Sequence, residues 1–339
     1  MLAAVFKGKG QLILEDVPAR KPGPDEIMIR VAACGVCGTD LHIYHGDQGA
    51  APTPAGTVLG HEFSGTVCEV GENVKSLCVG DKVSVDPNDY CGSCYYCRNG
   101  KAHFCENMTG IGTTVHGGFA EYCTFNAKQA YKLKDDMSLE WGALAEPVAC
   151  CLHGIDLSRI TPGDTVLVIG AGTIGLMMLQ LSKAAGASRV VVVEPVEEKR
   201  QNAYALGAAL CIDPTQEDAA VRMRAEGIPP VDVSIECVGL SKTVLEAIRL
   251  CGRGGTVMMF GLTPPDAEIA LKPFEVFQKE LNITASFINP YTLQRSLNLI
   301  ESQTIKLEPL LGARVPLKDI NHVFTDDSYR TMGKVLIVP

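Results

Sequence analysis

The sequence predicts an α/β chain in which a doubly wound parallel sheet is inserted into an irregular all-β unit built from both chain ends. Three observations predict it. The texture changes near residue 160, six apolar β-branched runs then alternate with helix-like segments, and a glycine-rich turn directly follows the first of those runs. At 339 residues the chain has room for two domains of about 150 residues each. Hydrophobic residues make up 46% and charged residues 20%, a composition that supports packed cores rather than disorder.

Residues 1–148 are rich in Gly, Pro and Cys, with short β-like runs at 27–31 and 63–70. Turn signals such as Pro22-Gly23-Pro24 and Gly71-Glu72-Asn73 punctuate them. Beyond 160, strands are expected at 165–169, 189–193, 209–212, 231–235, 256–260 and 281–287. Helices are expected between them at 172–185, 197–206 and 242–250. Strands buried on both faces read as continuous apolar runs, so the sheet is parallel with helices on either side. Six such strands fit the dinucleotide-binding doubly wound fold, placed over residues 149–288. Residues 289–339 return to mixed character, with a helix at 292–300 and a strand at 334–338, and rejoin the first region.

Charge and cysteine content narrow the function. Thirty-nine acidic against thirty basic side chains leave a net charge of −9, which argues against a nucleic-acid or anionic-membrane partner. No apolar run approaches the roughly 20 residues of a membrane span, and the first residues lack the basic start of a signal peptide. A cytoplasmic protein is expected. In that reducing compartment fourteen cysteines do not form a disulfide framework, and a cluster at ligand spacing points to metal.

Gly170-Ala171-Gly172-Thr173-Ile174-Gly175 matches G-x-G-x-x-G between an expected strand and an expected helix. The first glycine permits the turn, the second lets backbone approach a pyrophosphate, and the third lets helix pack on strand. The next strand ends in Glu194, whose carboxylate suits the adenosine ribose hydroxyls and repels a 2′-phosphate. NAD is therefore expected over NADP. Lys199 and Arg200 can reach the adenosine side, although a solvated helix face accounts for them equally well.

Cys91, Cys94, Cys97 and Cys105 form C-x2-C-x2-C-x7-C. Four thiolates so placed close a tetrahedral zinc site with no open position, a structural site; an iron–sulfur cluster is the rival occupant. Cys34, Cys68, Cys78, Cys123, Cys211, Cys237 and Cys251 are scattered and read as small core residues.

A second constellation comprises Gly35-Val36-Cys37-Gly38-Thr39-Asp40-Leu41-His42, then Gly60-His61-Glu62, then Ala145-Glu146-Pro147. A catalytic zinc needs about three protein ligands and an open position. Cys37 and His61 supply sulfur and imidazole, and Glu62 or Glu146 oxygen; spacing alone does not establish the site. These motifs, the four-cysteine loop, Gly117-Gly118-Phe119-Ala120-Glu121-Tyr122 and the glycine loop occur in one order along the chain. Together they resemble the medium-chain zinc-dependent alcohol dehydrogenase family, and within it the sorbitol (polyol) dehydrogenase-like branch with its butanediol and threonine dehydrogenase neighbours.

The resemblance implies a GroES-like β catalytic domain (1–148 and 289–339) around an inserted Rossmann NAD-binding domain (149–288). It implies two zinc ions and NAD as cofactors. Cys37, His61 and Glu146 would bind the catalytic zinc, with Glu62 ligating directly or through water and Cys150 or Cys151 an alternative sulfur. Thr39 and His42 would relay the proton of the alcohol outward by way of the cofactor ribose. His45, His116 and His153 remain possible pocket residues. Where animal-type polyol enzymes carry an Arg-Tyr pair, Ile288-Asn289-Pro290-Tyr291 stands here, which leaves the particular secondary alcohol open, with Asn289 a possible hydroxyl partner. A zinc-free quinone or enoyl reductase would lack Cys37, His61 and Glu194, and a non-catalytic zinc module would not need the glycine loop. The resemblance implies a homotetramer or homodimer, and the last parallel strand offers an edge for pairing.

Overall fold

The computed structural model describes residues 1–47 and 52–339, which divide into two compact units. The first comprises Met1–Pro147, Leu293–Glu301 and Leu310–Pro339; the second comprises Val148–Thr292 and Ser302–Pro309. Ser302–Pro309 groups with the second unit for a local reason. The Gln180 side chain there accepts from Lys306 N at 2.8 Å and donates to Lys306 O at 3.2 Å.

The first unit is built on a seven-stranded sheet. At its centre β1 (Glu26–Gly35) pairs antiparallel with β2 (Glu62–Val70), through cross-strand partners that include Gly35 opposite Glu62. On the other side of β1, Gly35 also lies opposite Leu336 of the C-terminal strand Lys334–Val338. Apolar side chains such as Phe6, Ile27, Ile29, Phe63 and Phe119 fill the core beneath. β1 runs past the expected end at residue 31 because Val31, Ala33 and Cys34 stay buried: a register shift between Val31 and Ala33 puts Cys34 in the same core as Val31, while Ala33 packs with Ala143 and Leu336. Helix α1 (Gly38–His45) begins just beyond it.

The second unit carries a six-stranded parallel sheet. Its strands are β3 (Thr165–Ile169), β4 (Arg189–Val193), β5 (Leu210–Ile212), β6 (Val231–Glu236), β7 (Cys251–Met259) and β8 (Asn282–Ala285). Their order across the sheet is β5-β4-β3-β6-β7-β8. The order reverses between β3 and β6, the switch point at which doubly wound sheets hold ligands. All five residues of β3 are buried, as its unbroken apolar run requires. Helix α2 (Thr173–Ala184) follows β3, and helix α3 (Ser241–Leu250) follows β6.

Two expectations need correction. β7 starts at Cys251 rather than 256, because Gly252 to Gly255 are absorbed into the strand, Gly254 with a φ of +75°. Cys78 is not a core residue: it is exposed in a turn, where its N–H donates to the Asp81 carboxylate at 2.9 Å. Among the described residues, no helix is long and apolar enough to cross a membrane.

Candidate active site

In the first unit the sheet register assembles the second constellation. Because Gly35 faces Glu62 across the ladder, Cys37, two residues beyond β1, comes beside His61, one residue before β2. One ligand atom each from Cys37, His61 and Glu62 lies within 4.8 Å of the others. Glu146, in the first turn of helix Ala145–Ser158, is buried but stands outside that group; its charge is still felt at Lys334.

Two residues not singled out from the sequence complete the arrangement. Asp40, fully buried on α1, accepts from Cys37 N at 2.9 Å and turns its other oxygen toward His61 Nδ1 at 3.4 Å. A carboxylate behind one ring nitrogen orients an imidazole and leaves Nε2 for a metal. Burial opposes a charged His61, but Asp40 and Cys37 outweigh it and hold the imidazole pKa well above its ordinary value. A dication can take the place of that proton.

Lys334, also buried, forms an ion pair with Glu62 and donates to Val36 O at 3.0 Å. Desolvation opposes its charge, yet Glu62 first and Cys37 next raise its pKa. Gly35 makes room for the pair: a Cβ there would collide with Glu62 Oε2 and lie 3.0 Å from Lys334 Cε. Asp40 Oδ1 and His61 Nδ1 face each other in the interior with no other partner among the described residues, so the free ring nitrogen, the Cys37 sulfur and a carboxylate oxygen are the donors left for a cation. The donor set therefore fits zinc.

On α1, Thr39 and His42 stand three residues apart and so share a helix face. His42 is partly exposed, with Nδ1 3.4 Å from the Asp47 carboxylate. His116 Nδ1 accepts from Val58 N at 3.2 Å, a structural duty. Asn289, in the second unit, is fully buried.

The sulfurs of Cys91, Cys94, Cys97 and Cys105 also converge within 4.8 Å. Ligands about 2.3 Å from a central zinc would sit about 3.8 Å apart, so the grouping suits the ion. Backbone N–H groups already point at these sulfurs, Cys91 N to Cys105 Sγ at 3.3 Å and Cys94 N to Cys91 Sγ at 3.4 Å. Bonds from Ser93 and Cys94 pull the Cys91 thiol down to about 5, while desolvation and its neighbouring thiols push Cys97 up to about 12. Four thiolates cannot coexist there without a cation, and zinc supplies one.

In the second unit the glycine loop joins β3 to α2. Gly170 has a φ of +95°, and a Cβ on Gly175 would collide with the Gly170 carbonyl oxygen. Gly172, at the N-cap of α2, has open space where its Cβ would be, so backbone there is accessible to a pyrophosphate. Thr173 and Ile174 open the helix. Glu194 is buried at the end of β4, accepting from Ala171 N at 2.7 Å and Val196 N at 3.0 Å. Arg200 is committed to the same turn: it donates to Glu194 O and Pro195 O, each at 2.7 Å, and pairs with Glu197 and Asp213. Lys199 lies partly exposed beside it.

Comparison with known proteins identifies the family. Residues 23–135 match the alcohol dehydrogenase GroES-like domain family, and residues 173–302 match the zinc-binding dehydrogenase family. The chain belongs to the medium-chain zinc-dependent alcohol dehydrogenases, in their polyol-dehydrogenase-like branch. It is 35% identical to D-arabinitol dehydrogenase 1 of Uromyces fabae, over 93% of this chain and 90% of that one. It is likewise 35% identical to L-threonine 3-dehydrogenase of Thermococcus kodakarensis, over 91% and 90%. A crystal structure of a zinc-binding dehydrogenase from Sinorhizobium meliloti bound to NADP superposes with a TM-score of 0.95 at 36% identity, covering 100% of this chain and 99% of that one. The protein is thus an oxidoreductase of the zinc-type alcohol dehydrogenase class, with a GroES-like domain and a Rossmann-type domain.

Proposed function

We propose that the protein oxidises a secondary alcohol of a polyol or sugar alcohol to the ketone, reversibly, with NAD as hydride acceptor. The observation that carries the reading is the convergence of half-buried Cys37 with buried His61 and Glu62 in one group, backed by Asp40 and Lys334. Cys37, His61 and either Glu62 or Glu146 would hold the catalytic zinc, and the four-cysteine loop the structural one. When bound, zinc supplies the Lewis acidity that makes an alcohol hydroxyl acidic near neutral pH. The Thr39 hydroxyl accepts the released proton while giving up its own, and His42, at the solvent side of the same helix face, passes it outward. A panel of pentitols, hexitols, butanediol and threonine, followed by NAD reduction, tests the substrate. Turnover of butanediol or threonine alone would move the protein to a neighbouring activity.

The preference for NAD rests on Glu194, a buried acid at the end of β4 tied to the glycine loop. Glu194→Ala removes a like charge from the path of a 2′-phosphate, so the NAD:NADP ratio of kcat/KM should fall about tenfold or more. An unchanged ratio would remove Glu194 from cofactor selection.

For assembly we propose a homodimer or homotetramer in the cytoplasm, paired through the edge strand β8. Helix Pro273–Lys279 next to it exposes Phe274 at 69% and Phe277 at 80%, an apolar cost that a second copy would relieve. Serine at both positions should shift the species seen by light scattering toward monomer; an unaltered mass would place the interface elsewhere.

A further inference from the structure

At the switch point of the parallel sheet, two loops flank the crevice: the glycine loop after β3, and Cys237-Val238-Gly239 after β6. The second loop bears directly on the first. Val238 Cγ2 lies 2.7 Å from where a Cβ on Gly170 would be, and Cys237 N donates to Ile169 O at 2.9 Å. Val238 is still 43% exposed, so part of it stays accessible while it packs on Gly170.

A single buried carboxylate holds that loop in place. Glu236, the last residue of β6, has no exposed surface. Its Oε1 accepts from Val238 N at 2.7 Å, from Gly239 N at 2.9 Å and from the Thr243 hydroxyl at 2.7 Å. Its backbone carbonyl accepts from Phe260 N at 3.0 Å and Gly261 N at 2.9 Å, which binds the end of β7 to the same point. Thr243 lies in the first turn of α3, where a negative charge is favoured by the helix dipole. Among the described residues Oε2 is buried with no hydrogen-bond partner, facing Gly261, where a Cβ would come within 2.6 Å of it. Keeping an anion buried with half its acceptors idle is costly. That cost is offset by three charge-assisted bonds that converge on one loop.

We propose that Glu236 is a positioning residue for the dinucleotide: it fixes Val238 against Gly170, so the crevice wall is formed before the cofactor arrives. The proposal rests on the dinucleotide reading of the glycine loop and is independent of the alcohol substrate. Glu236→Gln keeps the shape but replaces ionic acceptors with a neutral one and turns an amide toward Gly261. Thr243→Val removes one of the three donors, and Thr243→Ser restores it.

The test titrates zinc-loaded protein with NADH and with NADPH by fluorescence, well below each variant's melting temperature, and uses the tighter ligand. For Glu236→Gln the Kd should rise about tenfold, and for Thr243→Val about threefold, with Thr243→Ser near wild type. KM for the cofactor should rise in parallel, while kcat and zinc content are kept. Glu246→Ala, on the same helix but paired outward with Arg249, is the control for general loosening and should leave Kd unchanged. Should Glu236→Gln fail to fold, the three threonine and control variants decide alone. Unchanged Kd in Thr243→Val, or an equal rise in Glu246→Ala, would overturn the proposal. Wild-type protein that binds neither nucleotide would overturn the dinucleotide reading as well.

Discussion

Replacing Cys37 with serine should cut turnover at least about a thousandfold while leaving dinucleotide binding intact. Metal polarisation of the hydroxyl is worth several kcal/mol, and each 1.4 kcal/mol is about a factor of ten in rate. The serine hydroxyl is a hard, neutral donor at working pH and a poor substitute for thiolate on zinc. The loss should be confined to one of the two metal groups, because the four cysteines form a group of their own with its own backbone N–H···S contacts. Zinc analysis should therefore read one ion per chain instead of two, with NADH binding as in the wild type. Retained activity, or two zinc ions in the variant, would remove Cys37 from the catalytic centre.

The parts of this molecule that were legible in its sequence are those whose partners are close along the chain. The glycine loop is a contiguous motif between β3 and α2, and the four cysteines fall between residues 91 and 105. β4 was legible to the residue because an unbroken valine run has no other way to be buried. β7 was not, since Gly254 and Gly255 read locally as a turn while pairing with β6 keeps them in the ladder region. The support around His61 was hidden for a different reason. Asp40 is an ordinary acid in a helix first turn until the fold buries it against His61. Lys334 is separated by 298 residues from Val36, whose carbonyl it bonds, and no local pattern marks it. Glu236 sits in an apolar strand end where only the three-dimensional loop shows what it holds. Ligands follow motifs; the residues that orient ligands follow topology.

Lys334 provides the sharpest test of what Glu62 does. Its ammonium is the cation paired with a carboxylate that is only 1% exposed, so Lys334→Met leaves Glu62 charged and alone in the interior. Breaking a buried pair from one side costs about 3–5 kcal/mol, far more than the pair itself contributes. Zinc-free protein should lose that much in urea unfolding, and adding Glu62→Gln to Lys334→Met should recover most of it, because the orphaned charge is then gone. Zinc-loaded protein should lose less. Glu62 already lies with Cys37 and His61 in one group within 4.8 Å, so the metal offers a second cation within reach once the lysine is removed. In the cobalt-substituted variant, the visible spectrum should show the change in coordination that accompanies a carboxylate turning to the metal. Equal losses with and without zinc, and an unaltered spectrum, would mean that Glu62 never reaches the metal. Its work would then be to hold the C-terminal strand, through Lys334, against the end of β1 that carries Cys37.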